Sequence, residues 1–265
     1  MTQINNPAGR LLIILEKCQS IPKHENTAEA WSKVLDVSAK DRFLLIGKVG
    51  KVFSLADDIS IELSKIDNVD LTRYMSWTKY LEGAFSNCDF GNSWQGFVGR
   101  INEPMLDYLH MASGMLSTNR PQPVLERSQL DTIYEGAKDL IKEIIASDLP
   151  VHLKQYFLEQ LRKLCTAVEE YQITGSAEVV EIVEATFGKA VLRNEMVELR
   201  ESEASVSKFW SFMTNTALII SSVSGTLQIA DYTMKVFPEL GAPKQVEATV
   251  TKVDKVDVGV LQKQA

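Results

Sequence analysis

Apolar residues recur every three or four positions through the first 206 residues, and no sustained apolar–polar alternation precedes the C-terminal tail. A helix of 3.6 residues per turn buries that spacing on one face, so the pattern predicts an all-α fold. Asn6 and Pro7 open the first helix as a cap side chain and a proline at the first helical position, ahead of Leu11, Leu12, Leu15 and Cys18. Asn26 with Glu29 forms a capping-box pattern before Trp31, Val34 and Leu35. Leu45, Val49, Val52, Ala56, Ile59, Leu63 and Ile66 then share one face of a long helix.

The same reading predicts a helix holding Tyr74, Trp77 and Leu81, and another from Ser93 toward Ser117 that Pro104 kinks or divides. Two prolines make residues 119–123 a stiff connector. Ser128, as cap with Asp131 at the third helical position, starts a helix through Ile133, Ala137, Leu140 and Ile144. After Pro150 a partner helix carries Leu153, Phe157, Leu161, Leu164 and Tyr171, and the two are expected to pack as an antiparallel hairpin. Gly175 caps it, and Ser176 starts a helix with Val179, Ile182, Val183 and Phe187 inward.

From Phe209 to Ala230 the chain then runs 22 residues without a charge. Roughly 20 apolar residues span the ~30 Å hydrocarbon core, so the length suits a transmembrane helix. Nine of the 22 are Ser, Thr, Asn or Gln, which is polar for an inert anchor. Projected on a helix, Ser211, Thr214, Asn215, Leu218, Ser221, Ser222 and Gly225 share one arc with Gln228 at its edge, and Phe212, Met213, Ala217, Ile219, Ile220 and Val223 lie outside it. Trp210 on one side and Tyr232 and Phe237 on the other suit rings at two water interfaces. A lone span would leave Asn215 and Gln228 facing lipid, at a cost of several kcal/mol each if unsatisfied. Several copies around an axis remove that cost, with the polar arc as pore lining. The competing reading is a helix that closes a soluble bundle and turns its polar stripe to solvent.

The expected organisation is a cytoplasmic helical sensor or ligand-binding domain over residues 1–206, a transmembrane or oligomerisation helix over 207–237, and a tail over 238–265 whose character as strand, swapped element or coil stays open. Pro238 ends the helical potential of the run. No signal-peptide pattern opens the chain, so the expected location is the inner membrane with the N-terminal domain cytoplasmic, or the cytoplasm on the competing reading.

Composition adds two restrictions. The net charge of −7 combines +1 on residues 207–265 with −8 on residues 1–206, which lacks the basic footprint of a duplex nucleic-acid binder. Cys18, Cys88 and Cys165 have no paired spacing, so neither a disulfide framework nor a thiolate metal site is expected. Gly47-Lys-Val-Gly-Lys51 fails the phosphate-loop pattern and reads as small residues that permit close helix packing. His24, His110 and His152 have no ligand or dyad spacing, and Asp57-Asp58 and Glu169-Glu170 read as solvated surface. Trp31, Trp77 and Trp94 read as core in preference to a base-stacking platform. No enzyme, cofactor or metal is expected, and a catalytic site dispersed over several helices is left open.

A helical sensory domain followed by one short span near the C-terminus resembles, in layout across the whole chain, the membrane effectors of nucleotide-signalled bacterial antiphage systems, including the HalB effectors of Hailong systems. The resemblance implies a homo-oligomer activated by a nucleotide or short oligonucleotide, which opens a pore and depolarises the infected cell. It rests on no motif and assigns no ligand residue.

Overall fold

The structure, a computed structural model, describes residues 5–192 and 203–224. Those residues are helical throughout, joined by turns and one isolated bridge pair between Asn26 and Ser93. In chain order the helices are α1 (Pro7–Ser20), α2 (Thr27–Leu35), α3 (Arg42–Ser64), α4 (Leu71–Tyr74), α5 (Thr78–Ser86), α6 (Gln95–Val98), α7 (Glu103–Asn119), α8 (Arg127–Ala146), α9 (Val151–Glu169), α10 (Tyr171–Thr174), α11 (Ser176–Leu192) and α12 (Ala204–Ser224). The expected all-α class holds.

Local chemistry explains where the helices start. Asn6 Oδ1 accepts from the Gly9 amide at 2.9 Å, while its Nδ2 donates to the Ser113 carbonyl at 3.0 Å, so one side chain caps α1 and docks it on α7. The predicted 93–117 helix is divided, as Pro104 leads one to expect: α6 is a single turn, and Pro104 lies in the first turn of α7, where its missing N–H costs nothing, behind the cap Asn102. Two other elements differ from the sequence expectation. The helix expected around Trp77 likewise splits into α4 and α5. In α8 the cap is Glu126, not Ser128, and its amide donates to Gln129 Oε1 at 2.8 Å.

The helices build two cores. The first joins α1 to α3 and α5 to α7 around Trp31, Trp77, Trp94 and Phe97, all fully buried. Trp31 and Trp94 meet edge-on at 5.3 Å, and Trp94 donates its indole N–H to the Cys18 carbonyl at 3.0 Å. The tryptophans are therefore packing, as the spacing predicts.

The second core is a four-helix arrangement of α8, α9, α11 and α12. Phe157 of α9 lies 4.3 Å from Phe209 of α12, and Phe187 of α11 lies 5.8 Å from Trp210. Lys208 pairs with Glu143 at 2.7 Å and Phe212 covers Gly136, so α12 runs antiparallel to α8. Val206, Phe209, Trp210, Met213, Ala217 and Ile220 of α12 are buried in this core. Among the described residues, no helix is long and apolar enough to cross a membrane.

Candidate functional site

The two lobes meet at α10, the single turn after α9. Ile173 enters the first core, and its carbonyl accepts from Arg10 Nε at 2.8 Å. Arg10 also donates to the Asn5 carbonyl and to Gln122 Oε1 at 3.4 Å. Asn5 in turn donates to the Pro123 carbonyl and to Ser176 Oγ, the latter at 3.1 Å. Lys51 of α3 pairs with Glu170 at 2.5 Å and Glu178 at 3.7 Å. Burial lowers the Lys51 pKa, but the hydrogen bonds and charges of Glu170 and Glu178 outweigh it and leave it raised. Glu170 is only 4% exposed, which corrects half of the Glu169-Glu170 expectation: Glu169 is solvated and Glu170 is a buried junction residue.

Beside this junction lies a cleft of about 940 Å³, lined from α1, the turn before α3, α3 itself, α8 and the end of α9. Each helix contributes one face: Arg10, Ile13, Ile14 and Lys17 from α1; Asp41, Leu44 and Lys48 at the start of α3; and Arg127, Leu130, Asp131, Tyr134 and Glu135 from α8. Arg10 and Lys48 are 7% and 6% exposed. Burial lowers the Arg10 pKa to about 10, with Asp58 and Tyr171 opposing the shift, so the guanidinium stays charged at neutral pH with only neutral oxygens bonded to it. Lys48 has no hydrogen-bond or ion-pair partner among the described residues. The carboxylates that line the cleft, Asp36, Asp41, Asp131, Glu135 and Glu169, are exposed. Tyr134 donates to Glu169 at 2.8 Å, which pushes the phenol up to about 12.

No protein family, curated protein or solved structure matches this chain. The site therefore stands on its own chemistry.

The residues predicted to line a pore are elsewhere, on α12. Asn215, Leu218 and Ser222 are exposed, Ser211 and Ser221 half-buried, and Thr214 buried. Only Asn215, Leu218 and Ser222 of the arc face outward, while Phe209, Met213, Ala217 and Ile220 face the second core. Trp210, expected at a membrane interface, is fully buried among Phe157, Phe187 and Phe209. Thr216 returns its hydroxyl to the Phe212 carbonyl and Ser222 to Ile219, whereas Thr214 Oγ1 and Ser221 Oγ are buried without a partner. Gly225, Gln228, Tyr232, Phe237 and the tail 238–265 lie outside the described residues.

Gly47 and Gly50 have nothing within 4 Å of an added Cβ, so they face open space and not a close helix contact. Among the described residues no group of three His, Cys, Asp or Glu side chains is placed to hold a metal. All three thiols are free, and burial raises each.

Arg10 and Lys48 were not among the sequence candidates. Lys48 carried a signal: with Leu45, Val49 and Val52 it occupies the inward i, i+3, i+4, i+7 face of α3, a position otherwise apolar. A lysine in that register buries its stem and brings its ammonium to the cleft that this face borders.

Proposed function

We propose that this chain is a ligand-responsive effector that performs no catalysis, with the cleft as its input and the uncharged helix as its output. The output is a homo-oligomeric pore at the inner membrane that depolarises the cell in antiphage defence. The observation that carries this reading is α8, which lines the cleft along Arg127–Glu135 and holds α12 through Gly136 and Glu143. A ligand that moves α8 would bear directly on the helix behind it. The input would be a nucleotide or short oligonucleotide.

A second reading gives the same chain as a helical interaction or immunity protein in which α12 permanently closes the bundle. It is favoured by the apolar face of α12, buried against α8, α9 and α11. Carbonate extraction of membranes separates the two. On the first reading the intact protein stays embedded, conducts ions in liposomes, and loses conductance in the Asn215→Leu variant. Release of the protein into the soluble fraction overturns the first reading and leaves the second.

A further inference from the structure

Lys48 is the least explained charge in the described residues. Its side chain is nine-tenths buried, lines a cleft large enough for a small metabolite, and meets no carboxylate. Its stem is buried while the ammonium keeps access to the cleft, where an anionic ligand can replace water. Arg10, in the same cleft, has its bonds to carbonyl and amide oxygens and no ion pair among the described residues, with the charge of Asp58 acting on it from further off. Two cations without an ion pair suit a compact dianion better than a single carboxylate.

The lining sets a second condition. Its exposed charges are Lys17 and Arg127 against Asp36, Asp41, Asp131, Glu135 and Glu169, and Arg127 is already paired with Asp131 at 3.3 Å. This mouth is acidic over a basic interior. A chain of phosphodiesters would have to lay further negative charge along the carboxylates, so the lining selects against it.

We infer that Lys48 and Arg10 form the anion site of the cleft, for a small phosphomonoester whose remainder is neutral or cationic. The phosphoryl group goes inward to Lys48 and Arg10, and the remainder lies toward Tyr134, Leu130 and Ile13. This rests on the cleft being the input site, not on the membrane output, and it narrows the ligand from oligonucleotides to phosphomonoesters.

The test uses the full chain with inorganic phosphate and ribose 5-phosphate as probes, against chloride at matched ionic strength, read by thermal shift and titration calorimetry. Arg10 also holds the lobes together, so Lys48 carries the variants. Both probes should raise the melting temperature of the wild type and bind about 10- to 100-fold more weakly to Lys48→Met, with Lys48→Arg keeping most of the affinity. No probe-dependent shift in the wild type, equal affinity in Lys48→Met, or tighter binding of a short oligonucleotide than of ribose 5-phosphate each overturns the inference. Phosphate binding without liposome conductance would retain this site and defeat only the pore output.

Discussion

Gly175 has φ of 66°, and a Cβ there would collide with the Arg10 guanidinium and the Asn5 amide. Backbone and side-chain objections coincide at this position, which only glycine meets without strain. Gly175→Ala should cost about 2–4 kcal/mol in urea unfolding, and it should expose the junction to faster hydrogen exchange at Ile173 and Thr174. Gly175 was visible in the sequence as a helix stop. Its contact with Arg10 was not, because that depends on α10 returning to a residue 165 positions earlier. Glu170 reads as surface in the sequence for the same reason: its partner Lys51 comes from another lobe. Lys48 could have been found, since its register on α3 is set by local spacing alone.

Helix identity is a more local property, and most elements were legible in the 3.6-residue period. A boundary moved at cap chemistry, where Glu126 with Gln129 outcompetes Ser128, while Pro104 divides its segment as expected by beginning a helix. For α12 the sorting of polar from apolar residues was legible, but not what the apolar side meets, because lipid and a protein core accept the same side chains. Unfolding measurements on two variants read the packing directly. Phe209→Ala should lose about 3–5 kcal/mol, as expected for a ring buried between α9 and α12. Asn215→Leu, on the exposed stripe, should change stability by less than about 0.5 kcal/mol. A neutral Phe209→Ala would mean that α12 does not close the bundle in solution.

At the scale of the whole molecule, the two cores are joined by a polar seam of Asn5, Arg10, Lys51, Glu170 and Ser176. The raised pKa of Lys51 gives the seam a pH signature. A base whose folded pKa exceeds its unfolded value contributes stability that is complete below the unfolded value of 10.5 and is lost as pH rises through the folded one. Calorimetry of Lys51→Met should therefore show a lower melting temperature than the wild type at neutral pH, with the gap closing above 10.5. The wild type should melt in one transition, and the variant should broaden or split as the lobes uncouple. None of this seam follows from periodicity, since its members are scattered over nearly the whole described chain.

The burial of α12 also limits how an output could be driven. Exposing Phe209, Trp210, Met213, Ala217 and Ile220 together would cost about 8 kcal/mol at ordinary transfer values. A small molecule that prefers one state 10,000-fold supplies only about 5.5 kcal/mol. Release into water is thus beyond the reach of the ligand alone. The helix can change places only by direct handover, its rings leaving the bundle as they enter a bilayer or the flank of another copy, so the acceptor surface would be a reactant in the switching step as much as its destination.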